Sequence, residues 1–129
     1  MATHHGKAGV VKVGSNTVAE VTEFSVEEGV DIADDTVMGD TSKTHLIGIK
    51  EWSGSLTCFW DETDTNGQQA LTVGASVTLN LHPEGTGAGA TYKTGTATIA
   101  RVTLSVAKEG IVTRAFQFTG NGALTETTV

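Results

Sequence analysis

GVDIADDTVMGDTSKTHLIGIKEWSGSLTCFWD, residues 29–61, holds the two patterns that decide the fold. In its second half Trp52, Gly54, Leu56, Cys58 and Trp60 alternate with Glu51, Ser53, Ser55, Thr57 and Asp61. Successive side chains of a strand face opposite sides of a sheet, so this pattern predicts a strand with one buried face. Residues 39–50 fit no period, yet they carry Leu46, Ile47 and Ile49. The expectation is a long protruding loop over about residues 34–50. Ordered loops of that length are uncommon in compact domains and are usually functional or mobile. Their apolar side chains need a partner surface, which is either the domain's own core or another molecule.

Working outward, Ala8–Val13 and the segment from Thr17 predict a hairpin turned by Gly14-Ser15-Asn16. The second strand breaks its period between Val21 and Phe24, which predicts a bulge near Thr22-Glu23. It continues through Val26, Glu28, Val30 and Ile32, long enough to serve two sheets or to project beyond the domain. One short α-helix is expected over residues 63–71, with Thr65 and Gln68 as a capping box and Ala70 and Leu71 packing inward. Ala75, Val77, Leu79 and Leu81 mark the next strand, and residues 83–89 a turn. A long strand from Tyr92 to about Ala107 places Ala100, Val102, Leu104 and Val106 on one side, and Phe116 and Phe118 share a face of the last strand. Mobile ends are expected at about residues 1–7 and 121–129.

The 129 residues suit one domain, large enough to bury roughly two-thirds of its unfolded surface. Thr occurs 22 times and Pro once, a composition that favours strands. The fold class expected is all-β: a two-sheet β-sandwich or barrel with that one helix and the long loop. No stretch approaches the ~20 apolar residues of a membrane helix. MATHHGKAG lacks the apolar core of a signal peptide, so cytoplasmic synthesis is the expectation. Net charge is −7, but twelve of the fifteen acids lie between Glu20 and Asp64 beside only Lys43 and Lys50. Clustered Lys and Arg, the footprint of tight nucleic-acid binding, are missing. Such asymmetry suits either a solvated acidic face or head-to-tail self-association, where an acidic surface meets a less acidic one.

Sites for chemistry are weak. Glu62-Thr63-Asp64-Thr65-Asn66-Gly67 resembles the start of a calcium loop, but position one is Glu and position twelve is Val73. His4, His5, His45 and His82 are scattered, without structural zinc spacing. Cys58 shares a strand face with Trp52 and Leu56, which suits a buried thiol better than a nucleophile. Asp34-Asp35 and Asp61-Glu62 are adjacent pairs, and adjacent acids on a strand face opposite ways. No catalytic residue, metal site or cofactor is assigned, and the chain is not expected to be an enzyme. An adhesin or carbohydrate-binding β-sandwich is the alternative, although Trp52 and Trp60 are expected inside and not as a stacking platform.

VVKVGSNTVAEV, TVMGD, KEWSGSLTCFWDETD, ALTVGASVTLNLHPEG and GNGALTETTV occur in that order along nearly the whole chain. The series resembles the tail tube protein (major tail protein) of long-tailed bacteriophages and prophages. That resemblance implies a virion structural protein, made in the host cytoplasm, that assembles into stacked and usually hexameric rings. DNA would pass through the tube without specific binding and without any membrane partner. The partners implied are the chain itself and other tail proteins, such as tape measure, tail terminator, and baseplate or distal tail. On this view Met38, Asp40, Leu46, Ile47 and Ile49 are the loop residues expected at subunit contacts, followed by residues 3–7 and 121–129. Some of Glu20, Glu23, Glu27 and Glu28 are expected to face the lumen.

Overall fold

The structure is a computed structural model and describes residues 6–129. Among the described residues there are eight antiparallel strands: β1 (Val10–Val13), β2 (Asn16–Thr17), β3 (Val21–Asp34), β4 (His45–Phe59), β5 (Ser76–His82), β6 (Thr91–Ser105), β7 (Thr113–Gly120) and β8 (Thr125–Thr128). They form one continuous sheet in the order β2-β1-β5-β6-β7-β4-β3, with β8 also paired to β6. β1 approaches β3 across the open side, so the single sheet curls on itself, in keeping with the expected sandwich or barrel. The all-β class holds.

Inward-facing rows make the core. Leu56 and Cys58 of β4, Phe116 and Phe118 of β7, Ala97 and Ile99 of β6, Leu79 and Leu81 of β5 and Val11 of β1 are all buried. Their burial is the main favourable term in folding. Trp52 is buried as well, and its indole lies across the backbones of Gly95 and Gly120, where a Cβ would overlap the ring. Its Nε1 donates to the Gly122 carbonyl at 3.1 Å and it meets Phe118 edge-on at 6.1 Å. Those two glycines make the slot that lets a large aromatic enter a small core.

Three bulges redirect strands, one of them in the outer half of β4 between the Val30 and Ile32 pairings. The register of β3 on β4 shifts between Val21 and Glu23, as the broken period predicts. β6 shifts against β7 between Ile99 and Arg101. Ala100 is therefore the extra, exposed residue, and Ile99 joins Val102 on the core side, a correction to the simple alternation expected from Ala100 onward.

Several expectations change. Residues 68–70 form one turn of 3-10 helix, not an α-helix, and its N-cap residue, Gly67, makes no side-chain cap bond. Gln68 is instead fully buried: its Nε2 donates to the Ala19 and Phe59 carbonyls, both at 2.8 Å, and its Oε1 accepts from Asp61 N. Asp64 Oδ2 accepts from Ala19 N at 2.8 Å and Gln68 N at 3.0 Å. The segment is thus clamped to its neighbours by side chains, and a capping box is not needed. Residues 121–129 are not a loose tail: β8 pairs with Thr91–Thr94 of β6, and Leu124 packs against the core. Of the N-terminal segment expected to be mobile, residues 1–5, with His4 and His5, lie outside the described residues. Gly6–Ala8 form a 3-10 turn.

The indole slot yields a test. Gly120→Ala places a methyl group inside the Trp52 ring, and overpacking of a filled core costs about 1–3 kcal/mol. Urea unfolding should show a lower midpoint with an unchanged slope. A variant as stable as the parent would mean that the indole does not fill the slot.

Candidate assembly surfaces

Strand length creates the surfaces. β4 pairs with β7 only from Ser53 to Phe59, whereas its residues 45–52 pair with β3 alone. The segment expected as an aperiodic loop is therefore mostly the outer half of a two-stranded arm, and the turn shrinks to residues 35–44. The period was hidden by a bulge: Val30 faces Lys50 and Ile32 faces Ile47, so Asp31 stands opposite both Gly48 and Ile49. Side chains order the turn. Thr36 N donates to Asp34 Oδ1 and Val37 N to Asp40 Oδ2, both at 2.9 Å, while Thr44 Oγ1 donates to Asp35 at 2.5 Å. The hydrogen bonds from Thr36 hold the exposed Asp34 carboxyl below its ordinary pKa.

The core-facing row of β3 runs from Phe24 and Val26 through Glu28 and Val30 to Ile32, and Ile47 is the cross-strand partner of Ile32. Beyond the core this row is uncovered: Ile32 is 63% and Ile47 67% exposed. Leu46, opposite Ala33, faces the other way and is exposed too. Ile49 sits in the bulge and Met38 is fully exposed in the turn. The five loop residues thus share one arm but not one face, and Asp40 is engaged in holding the turn.

A second overhang lies at the opposite end of the sheet. β5 covers β6 only as far as Thr98, so Arg101–Ser105 pair with β7 alone. Val102 and Leu104 continue the core row there, followed by Val106 at 71% exposure and Ile111 at 66%. Trp60, expected inside, is part of this end: it follows the last residue of β4, is partly exposed, and carries the Arg114 guanidinium 4.0 Å above its ring. Leu104 is the cross-strand partner of Arg114.

The reverse face of the sheet is polar. Glu23, Ser25 and Glu27 of β3 stand beside Thr57, Ser55 and Ser53 of β4, and these beside Ala115, Gln117 and Thr119 of β7. Thr103, Arg101 and Thr98 of β6 follow, then Ser76 and Thr78 of β5. Of the four acids considered for a lumen, Glu23 and Glu27 share this face. Glu20 lies in the turn before β3 with a positive φ of 59°. Glu28 points to the core side, where it pairs with Lys93 Nζ at 2.7 Å and raises that lysine's pKa.

Among the described residues no group of three or more His, Cys, Asp and Glu could hold a metal, and no helix is long and apolar enough to cross a membrane. His82 is buried, stacked on Tyr92 at 4.4 Å, and its pKa is lowered chiefly by burial.

A chain in the tail of an empty GTA particle, solved with C6 symmetry, superposes with a TM-score of 0.78 at 17% identity, covering 98% of this chain and 100% of that one. This is the tail-tube fold. The SPP1 tail tube gives a TM-score of 0.72 at 11% identity over 98% of this chain and 80% of that one. A chain of the sheath–tube complex of PVC, an extracellular contractile injection system, gives 0.72 at 11% identity over 98% and 93%. No protein-family model and no curated protein matches the sequence. The tail-tube fold is thus met here at identities of 17% and 11%.

Cys58 gives the prediction from this region. It is fully buried with Sγ 3.5 Å from the Arg114 carbonyl, and burial pushes its pKa from 9.0 up to about 11. The unfolded chain ionises this thiol at lower pH than the folded one. Its contribution to stability is therefore complete below pH 9.0 and fades as pH rises toward about 11. Maleimide labelling of the native protein at pH 7 should be negligible and become complete in denaturant; rapid native labelling would contradict the burial.

Proposed function

We propose that the chain is a tail tube subunit, a virion structural protein that assembles into stacked hexameric rings. The observation that carries this reading is the match of fold over essentially the whole chain to chains of tails and tubes, together with the two uncovered apolar overhangs. The C6 symmetry of the GTA tail supports the ring number. Function then resides in interfaces and in the wall of a conduit for DNA, and no catalytic role is assigned. The arm of β3 and β4, with Met38, Leu46, Ile47 and Ile49, reaches a neighbouring subunit, and Asp40 shapes its turn. Tube ends would meet other tail proteins: a tape measure, a terminator, and baseplate or distal-tail components. The sugar-binding alternative gains nothing here, since Trp52 is buried and the Trp60 ring is covered by Arg114.

Purified protein should form rings or tubes in negative stain. Leu46→Asp should keep a native circular dichroism spectrum, because the side chain is already exposed, while tube yield collapses. Burying a large aliphatic side chain against a neighbour is worth about 1.5–3 kcal/mol, and symmetry repeats the loss at every subunit. An unfolded variant would instead mean that the arm packs on its own core. Strictly monomeric parent protein at high concentration would count against the tube itself.

The polar face of the sheet is the proposed lumen wall. Its hydroxyls and amides, with Glu23 and Glu27, offer a polyanion few cations to bind. Each engaged cation would release counterions and hold the DNA back. Assembled protein should show no duplex binding by anisotropy at ~20 mM salt, where electrostatic attraction is weakly screened. Salt-sensitive micromolar binding would point to DNA anchoring instead.

A further inference from the structure

Two of the four asparagines precede glycine, Asn66-Gly67 and Asn121-Gly122. That dipeptide is chemically labile, because a glycine without Cβ lets its backbone nitrogen reach the asparagine side-chain carbonyl. The fold treats the two copies of it differently. Gly67 is buried, and a Cβ there would fall on the Asp64 carboxylate. Its carbonyl accepts from Ala70 N at 3.1 Å, and Asp64 Oδ2 holds the next amide, Gln68 N, at 3.0 Å. The first dipeptide is therefore pinned. Asn121 and Gly122 are both exposed in the turn between β7 and β8, and Gly122 has φ 103° with open space where a Cβ would stand. Among the described residues neither the Asn121 carboxamide nor the Gly122 N–H has a hydrogen-bond partner. The two groups that must meet are free to do so. The atoms on either side of them are held: Asn121 N donates to the Thr96 carbonyl at 2.8 Å, and the Gly122 carbonyl accepts from Trp52 Nε1 at 3.1 Å.

We propose that Asn121-Gly122 is a site of spontaneous deamidation and isomerisation, with water as the only co-reactant, and that its conversion loosens the anchor of Trp52. Gly122 N gives up its proton and bonds to Asn121 Cγ, the Cγ–Nδ2 bond breaks, and the side-chain nitrogen leaves as ammonia. Water then opens the cyclic imide. Opening at Cγ leaves aspartate. Opening at the main-chain carbonyl carbon leaves isoaspartate, with the chain now running through Cβ and Cγ. The net change is water taken up and ammonia released, without oxidation or reduction. Isoaspartate inserts an extra carbon into the main chain between two fixed points, the Thr96 carbonyl and the Trp52 indole, and leaves a carboxylate beside them. Both bonds cannot keep their geometry across the longer link. A buried indole N–H that loses its acceptor is destabilising, and this one belongs to the ring that fills the slot of Gly95 and Gly120.

Ageing of the purified protein in warm, mildly alkaline buffer tests it. Tryptic peptide 115–129 reports Asn121 and peptide 51–93 reports Asn66. In the folded protein, isoaspartate, read by mass and by isoaspartyl methyltransferase labelling, should accumulate several-fold faster in peptide 115–129 than in 51–93. In guanidinium chloride the two sites should react at similar rates, a comparison that needs no variant. Aged protein should unfold at a lower urea midpoint, whereas Asn121→Gln, with a native circular dichroism spectrum, should keep its midpoint through the same incubation. Equal rates at the two sites in the folded protein, or faster conversion at Asn66, would overturn the assignment of the site. Conversion at Asn121 with an unchanged midpoint would overturn its link to Trp52.

Discussion

A sheet that buries one face against itself has core only where its strands overlap, and three strands here are about twice as long as β5 and β7. β3, β4 and β6 have 14 or 15 residues, whereas β5 has 7 and β7 has 8. At about 3.3 Å per residue, the long strands run on for ~25 Å beyond the short ones. The apolar pattern does not stop where the covering strands do. A polar overhang would be a solvated arm; these overhangs keep the core's own periodicity and leave it exposed.

The middle of the molecule is correspondingly well secured. Trp52 sits where the arm enters the core, and its indole is fixed by the Gly95 and Gly120 backbones and by the Gly122 carbonyl. Across the core, the buried Gln68 amide and the Asp64 carboxylate tie the turn before β3 to the end of β4 and to the 3-10 turn. Unpaired, those backbone groups would each cost about 1–3 kcal/mol once buried. The arms therefore project from a rigid base, which is what a repeated joint between copies requires.

Much of this was legible in the sequence. The alternation of Trp52, Leu56 and Cys58, that of Val77, Leu79 and Leu81, the shared face of Phe116 and Phe118, and the bulge at Thr22-Glu23 are period-two signals read at the right positions. The outer half of the arm escaped because the bulge at Gly48-Ile49 breaks the period within six residues, leaving Leu46 and Ile47 as neighbours that looked aperiodic. The 3-10 turn was misread because Gln68 satisfies buried backbone groups distant in sequence, which local helix signals cannot register. Trp60 sat one residue past the strand, where alternation no longer governs direction. The second overhang was visible as Val102, Leu104 and Val106, but only the length of β5 shows that nothing covers them.

Hydrogen exchange measured on the monomer and on the assembled protein addresses the central claim, that length mismatch leaves apolar arms which only another copy covers. Amides of residues 53–58 should be protected in both states. Those of residues 27–34 and 45–51, and of residues 101–111, should exchange readily in the monomer and become protected together on assembly. Arms already protected in the monomer, or unchanged when rings and tubes form, would contradict it.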